Sequence, residues 1–400
     1  MLSFQRYHDL FKVPQLRATL VASIIGRLPI GIAGLAILLF VQRKSGSFAL
    51  AGSASALYVL GLAVVAPFLG RITDQLGPRP VLAACGLLYP AALVGLAAVV
   101  LGSGQRAGIS AMAFVAGATL PPVSACIRAM YPRMISEPAL LQTAYSVDSA
   151  LVEAVFVLGP ALVAACIGLG HPEAAVLIAA ASAAVGCAIF IRSPAVKAWA
   201  PSKFRIKGGW LGVLGSSRLL IVFAATVLYS MAFGLFELAV TAHAASKGMP
   251  AAAGVALALA SLGSGAGAVV YGSRHWQAPI RKQFVWALMA MAAGILLLVP
   301  IDNLVFYSIA SIATGIPMAT VIATQSMLIA RFAPRERLAE SFTWGSTCLL
   351  AGVSAGIAAG GALAETYAPY WLLIAAGGST AAAAVIALSV SRDETQAITG

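Results

Sequence analysis

Long apolar segments, separated by short polar ones, repeat along the whole chain. Each is about 20 residues long, enough to cross roughly 30 Å of hydrocarbon as a helix at about 1.5 Å per residue. Strand-like alternation is absent from them, and a helix pairs its own backbone groups in lipid. The pattern predicts twelve membrane-spanning helices, at residues 18–41, 48–70, 79–102, 108–130, 142–168, 172–191, 219–241, 250–272, 283–301, 303–330, 340–363 and 368–390.

The composition leads to the same fold class. Of the 400 residues, 60% are hydrophobic and only 10% are charged, whereas soluble domains carry about 25% charged residues. The five cysteines all lie inside apolar segments and are expected to pack as small hydrophobes. The first residues are mixed polar, so no cleavable signal is expected. The sequence therefore predicts an all-α membrane protein that lies in the bilayer.

The basic residues indicate the orientation. The net charge of +12 is spread over short loops, and no basic domain is present that would bind nucleic acid. With the N-terminus inside, twenty basic residues face the cytoplasm, and Arg43, Lys44, Arg106 and Lys247 face outside. Because basic residues favour the cytoplasmic side, we predict a multi-pass protein of the cytoplasmic (inner) membrane with both termini cytoplasmic.

The longest polar stretch divides the chain near its middle. Residues 192–218 are basic and rich in Pro, Gly and Ser, which is typical of a cytoplasmic linker between two repeats. The predicted parts are an N-terminal six-helix half at 1–191, the linker, and a C-terminal six-helix half at 219–400. Residues 205–214 form either a short interfacial helix or an ordinary disordered linker.

The most specific motif follows the second predicted span, in GRITDQLGPRPVL at residues 70–82. Gly70, Asp74, Gly77 and Arg79 have the spacing of a signature in the corresponding loop of the major facilitator superfamily, which the chain resembles. Gln75 stands where a basic residue is usual, and Pro80 is a second departure. The resemblance implies a secondary transporter whose two pseudo-symmetric six-helix halves alternate in opening a central site to either side.

The resemblance also suggests a role for the motif. Gly70 allows the second span to approach a neighbour closely, and Asp74 can accept hydrogen bonds from a helix N-terminus in the other half. The alternative is a short charged turn in which Asp74 pairs with Arg71 or Arg79. In the fifth span, Gly159 and Pro160 are similar to the glycine-proline element of proton-linked efflux permeases, although the following glycine pair is missing.

Four charged residues lie at least four residues inside the ends of predicted spans. They are Arg27, Asp148, Glu153 and Glu237, and charge inside the membrane is costly and often functional. Arg27 and Glu153 have similar depth, so a buried pair is one hypothesis, either static or with a carboxylate that gains and loses a proton. Since Asp148 and Glu153 are about 140° apart on a helix, one can meet Arg27 while the other faces a cavity or Arg128.

The resemblance places the substrate cavity among the first, fourth, seventh and tenth spans. The candidates are Tyr229, Phe233, Phe236, Pro317 and Gln325. Glu237 lies beside these aromatics and either takes part in binding or proton transfer, or only reaches the outer interface. Gly263, Gly265, Gly267 and Gly272 predict close packing of the eighth span.

The motifs of other chemistries are missing from the sequence. We find no phosphate-binding loop, no metal cluster and no nucleophile–base arrangement, so we expect neither an enzyme nor a cofactor or metal. The function favoured is export of a small molecule by proton antiport, by a monomer. Proton-coupled uptake of a sugar or organic acid, a lipid flippase and a non-transporting membrane protein are the alternatives.

Overall fold

The computed structural model describes residues 5–13, 16–102, 105–199, 212–249, 251–274, 276–364 and 366–389. In these ranges the regular structure is helical and no strand occurs. The helices are α1 (Gln5–Lys12), α2 (Leu16–Ser45), α3 (Phe48–Leu76), α4 (Pro78–Leu101), α5 (Arg106–Ala118), α6 (Val123–Met134), α7 (Pro138–Gly168), α8 (Pro172–Arg192), α9 (Pro194–Lys197), α10 (Ser217–Ser246), α11 (Ala251–Ser273), α12 (Ile280–Leu296), α13 (Leu304–Phe332), α14 (Leu338–Ala364) and α15 (Pro369–Leu388). Short 3₁₀ turns cover Gly212–Gly215 and Arg335–Arg337.

The predicted spans match these helices closely. Among the described residues, eleven segments are long and apolar enough to cross a membrane, with α5 and α6 counted as one. The twelfth, α12, is in the predicted place but has 17 residues, because the chain leaves the helix in turns at residues 297–300. The prediction of an all-α membrane protein is confirmed.

The second span is longer than predicted, and this moves the signature motif. We expected it to end near residue 70, where the apolar run stops, but α3 continues to Leu76. Polar residues do not end a helix by themselves; here Gly77, with a φ of 85°, and the following Pro78 end it. Gly70 and Asp74 therefore lie in the last turns of α3, and the expected loop is reduced to Gly77.

The fourth span is broken into two helices. α5 ends at Ala118 and α6 begins at Val123, with Pro121 and Pro122 between them. Proline lacks the N–H that a continuous helix needs, so the break falls where the pair occurs. Pro29 and Pro317 lie inside uninterrupted helices.

Contacts divide the chain into two compact units. The first contains α1 to α9 together with Pro334–Thr347, and the second contains α10 to α13 and the chain from Cys348 onward. The start of α14 therefore belongs to the first unit. Of the predicted linker, residues 200–211 lie outside the described residues, as does most of its predicted interfacial helix.

In the first unit, α2 is surrounded by α8, α7 and α3. At its crossing with α8, a Cβ on Gly186 would collide with the backbone of Gly26. A second crossing joins α2 to α7, where a Cβ on Gly159 would collide with the backbone of Gly31. Small residues thus let these backbones touch, which is the usual means of packing helices in lipid.

In the second unit, α11 packs along α13, and α10 packs against α15. A Cβ on Gly263 or Gly267 would meet the backbone of Ile312 or Ile316. Gly265, which we had grouped with them, faces open space, because it lies about 200° around the helix from both.

Candidate functional site

The most highly charged buried cluster in the first unit surrounds Asp148. Arg27 Nη2 lies 2.7 Å from its Oδ1, and Arg128 Nε donates to its Oδ2 over 2.6 Å. The Tyr131 hydroxyl donates to Oδ1 over 3.0 Å. Asp148 is 0% exposed, so two hydrogen-bond donors and one ion-paired guanidinium replace water around this carboxylate.

Helix α6 supplies two of these donors from one face. Arg128 and Tyr131 are three residues apart, a spacing that brings side chains together on a helix. Tyr145 of α7 fixes this face, because its hydroxyl donates to the Arg128 carbonyl over 3.0 Å and its ring meets the Tyr131 ring edge-on at 5.3 Å. The short helix that begins after the proline break is thereby held against α7.

Arg27 is 1% exposed, although it carries a guanidinium. Its ion pair with Asp148 is the contact described above, while its Nε and Nη1 make no hydrogen bond to any residue that the structure describes. Removing one partner of such a pair leaves an uncompensated buried charge, at a cost of about 3–5 kcal/mol.

Of the two carboxylates that the sequence offers as partners for Arg27, the structure places Asp148 against it. Gly31 packs against the backbone of Val155, so Arg27, four residues earlier, lies level with the turn before Val155. Helical side chains point toward the helix N-terminus, and a long arginine therefore reaches back to Asp148. Glu153 is half-buried on another face of α7 and is not the partner in this ion pair.

The second unit contains a smaller polar network between α10 and α13. The Tyr229 hydroxyl donates to Gln325 Oε1 over 2.9 Å, and Gln325 Nε2 donates to Thr226 Oγ1 over 2.9 Å. All three residues are buried. The Phe233 ring lies 5.6 Å from the Tyr229 ring in an edge-on contact.

The remaining cavity candidates are dispersed. Phe236 is 3% exposed and Glu237 is exposed, both on α10. Pro317 is buried two turns before Gln325 on α13 and lines a separate pocket with Tyr271 and Trp286. The structure therefore joins Tyr229, Phe233 and Gln325, and leaves Pro317 apart from them.

The signature aspartate caps a helix. Asp74, 2% exposed, accepts from the Ala339 N–H over 3.1 Å and from the Glu340 N–H over 2.8 Å, at the first turn of α14. The first N–H groups of a helix generally need a partner from outside it, and the helix dipole favours an anion there. A Cβ on Gly70 would collide with Thr343 and the Ala339 carbonyl.

The other motif residues have different positions. Gly77 ends α3, and Arg79 is exposed in the first turn of α4. Gly159 lies at the crossing of α7 with α2, while Pro160, the next residue, is exposed.

Several residues of the site carried little signal in the sequence. Tyr131 is an aromatic residue near a helix end, and Thr226 is one hydroxyl among many, so neither stands out without its partners. Arg128 could be noticed, since it is a basic residue inside a predicted span. The donors at Ala339 and Glu340 are backbone groups, which no residue type reveals.

Comparison with known proteins gives the family. The sequence model of the Major Facilitator Superfamily matches residues 19–303. The chain belongs to the Major Facilitator Superfamily. An uncharacterized MFS-type transporter, y4rN of Sinorhizobium fredii (strain NBRC 101917 / NGR234), is 27% identical over 281 residues, which cover 66% of this chain and 68% of that protein.

Solved structures of the superfamily share the fold. A bacterial homologue of the iron transporter ferroportin, in its outward-facing state, has a TM-score of 0.77 and 13% identity, over 93% of this chain and 98% of that one. The proton:xylose symporter XylE has a TM-score of 0.76 and 13% identity, over 96% of each chain. The human organic anion transporter MFSD10 (TETRAN) has a TM-score of 0.69 and 16% identity, over 94% and 99%. At these identities the likeness shows the fold alone. The family model and the MFS-type relative make this chain a transporter of the superfamily, with its alternating-access architecture.

Proposed function

We propose that this transporter exports a small molecule in exchange for protons, with Asp148 as the carboxylate that carries the proton. The supporting observation is the set of contacts around Asp148: a fully buried carboxylate held by Arg27, Arg128 and Tyr131 at 2.6–3.0 Å. Such a carboxylate is stable as an anion only while the cations stay close, so their movement can be linked to proton uptake.

The connection of α6 to the rest of the fourth span supports this coupling. Because Pro121 and Pro122 interrupt the helix, Arg128 and Tyr131 can shift without moving α5. When they withdraw, an ionised Asp148 would be left in an apolar surrounding, and a buried carboxylate in that position takes up a proton instead. Their return would release the proton. Glu153 and Glu237 are the alternative carriers.

The contacts around Asp74 provide a means of closing the predicted cytoplasmic side. Two backbone N–H groups of α14 donate hydrogen bonds to Asp74, and nearby Arg133 Nη2 donates to the Arg335 carbonyl over 3.2 Å. The Arg133 guanidinium also lies 3.6 Å from the Trp199 ring centroid. We propose that these contacts exist in one access state and break in the other, so their strength sets the balance between states.

Two features favour export of an apolar or amphipathic compound. The side chains at the candidate site in the second unit are mainly aromatic, and the polar groups of Tyr229, Gln325 and Thr226 satisfy one another. Little hydrogen-bonding capacity is left there for a sugar. The Gly159-Pro160 element points in the same direction by its resemblance to exporters.

Uptake of an organic acid is a second candidate. Two guanidiniums converge on Asp148, and arginine is suited to binding carboxylates. A substrate carboxylate could take the place of Asp148 when that residue is protonated. In this scheme proton and substrate move in the same direction.

Everted membrane vesicles distinguish these proposals. Respiration acidifies their interior, and an exported compound added outside should dissipate the proton gradient, as followed by a pH-sensitive dye. A panel of lipophilic cations, sugars and organic acids should give a response to at least one lipophilic compound, and Asp148→Asn should abolish it. Accumulation of an organic acid in right-side-out vesicles, without any response in everted ones, would instead establish uptake.

A further inference from the structure

The second unit has an apolar groove between α11, α12 and α13. It encloses about 340 Å³, and its walls are mainly Val270, Trp286, Ala290 and Ile316. Trp286 is 55% exposed, and Val270 and Ile316 are each 46% exposed, so the groove opens to the outside of the unit. Gly267 also lines the groove, at the point where α11 packs closely against α13.

One end of the groove is closed by the chain that joins α11 to α12. Trp276 folds back on α11, where its Nε1–H donates to the Tyr271 carbonyl over 3.2 Å. The Tyr271 hydroxyl donates to Gln283 Oε1 over 2.6 Å, and Gln283 Nε2 donates to the Ala278 carbonyl. These polar groups hold one another, so they shape the end of the groove without leaving it hydrophilic.

Three cations lie in or directly after the chain that joins α11 to α12 at this end. The Arg274 guanidinium lies 5.1 Å from the centroid of the Trp276 ring, which itself lines the groove. Lys282 is exposed in the first turn of α12, beside Gln283. Arg281, preceding it, donates from Nη1 to the Leu388 carbonyl over 3.0 Å.

The described acidic residues of this unit lie elsewhere. Glu237 is in the later part of α10, and Asp302 follows α12 at the opposite end of that helix from Arg281 and Lys282. Among the residues described in the unit, the chain that joins α11 to α12 at the basic end of the groove contains no carboxylate. At the other end of α12, Asp302 lies 2.6 Å from Lys247. This charge separation favours an anionic ligand at the basic end.

We propose that the groove binds one anionic phospholipid, with an acyl chain between Val270, Trp286 and Ile316 and the phosphate beside Arg274 and Lys282. An apolar groove that ends at cations fits a molecule with a long apolar part and a negative head. Basic pockets between helices on the cytoplasmic side bind such head groups, and tryptophan favours the interface where they lie. The predicted orientation puts this end in the cytoplasmic leaflet.

Native mass spectrometry of the purified full chain tests the proposal. The probes are phosphatidylglycerol and phosphatidylcholine with identical acyl chains. We expect phosphatidylglycerol to bind at least about tenfold more tightly, and Arg274→Gln with Lys282→Gln to remove that preference, since each basic residue near a membrane surface attracts anionic lipid. Ala290→Phe, which fills the groove from an exposed position, should weaken binding of both lipids.

Matched controls separate the site from general effects. Arg106→Gln removes an exposed cation of the first unit, and Val385→Phe enlarges an exposed apolar residue of α15; both should bind phosphatidylglycerol like the unmodified chain. Equal affinity for the two lipids would overturn the proposal, as would unchanged binding in Ala290→Phe. Displacement of the lipid by glycerol phosphate alone would show that a free phosphate group, and no acyl chain, is recognised.

Discussion

At the scale of single residues, the contacts of Asp148 predict that neutralising it lowers stability and transport more than neutralising Glu153 does. Asp148→Asn should lower the melting temperature of the detergent-purified protein strongly, because the buried Arg27 and the partly buried Arg128 lose their anion, at a cost of about 3–5 kcal/mol. Adding Arg27→Met should recover part of this loss, since the residual buried charge is smaller. Both variants should lack pH-driven transport.

Glu153→Gln is the matched control, because it neutralises a half-buried carboxylate on another face of the same helix. It should melt like the unmodified protein and keep its response to a pH gradient. If instead Glu153→Gln loses that response while the Asp148 and Arg27 double variant keeps it, the proton is carried by Glu153.

The residues of this cluster show what a sequence can and cannot predict about a site. Burial of charge inside an apolar run identified Arg27, Asp148 and Glu153 as candidates, because composition alone makes them unusual. The choice between the two carboxylates depends on the offset between α2 and α7, which the contact of Gly31 with Val155 sets. Periodicity along one helix contains no information about that offset.

At the scale of helices, the glycines of α11 predict a position-dependent effect on stability. Gly267→Ala should lower the melting temperature, because its Cβ would collide with the backbone of Ile316, and overpacking costs about 1–3 kcal/mol. Gly265→Ala, two residues away, adds the same methyl group to open space and should leave the melting temperature unchanged or raise it. Equal losses in both variants would mean that α11 and α13 do not pack as described.

The helices themselves were largely predictable, since lipid requires long apolar segments and the sequence provides them. The errors arise where hydropathy and helicity differ. α3 runs on through Arg71, Asp74 and Gln75 to Gly77, since only backbone geometry ends it. α12 stops before its apolar run does, in the turns that lead to Pro300.

At the scale of the whole molecule, the charge distribution predicts the orientation in the membrane. A cysteine at Ser45 or His171, both exposed, should react with an impermeant maleimide in intact cells. A cysteine at Arg335, also exposed, should react only after the cells are permeabilised. The native Cys85, Cys126, Cys166 and Cys187 are buried and should contribute little background. Reaction of the Arg335 position from outside would contradict the predicted orientation.

The last prediction concerns the balance between access states. Asp74→Asn keeps the size of the side chain but removes the charge that two N–H groups of α14 share, and hydrogen bonds to charged groups contribute about 1.5–3 kcal/mol each. If the contact of Asp74 with α14 stabilises one access state, weakening it should shift the equilibrium between the two access states about tenfold or more toward the other state. Transport should then slow while the melting temperature changes little, and Arg335→Cys should react faster with maleimide in everted vesicles.

Two comparisons make this prediction specific. Gly70→Ala disrupts the same contact sterically, because the added Cβ would collide with Thr343 and the Ala339 carbonyl. It should accelerate labelling in the same way. Because both changes act on one contact, combining them should add little to either alone. Asp9→Asn, at a partly buried residue of α1, serves as a charge control that should alter neither labelling nor transport. Native transport rates and unchanged labelling in Asp74→Asn would mean that the capping of α14 only stabilises the fold and has no part in switching between states.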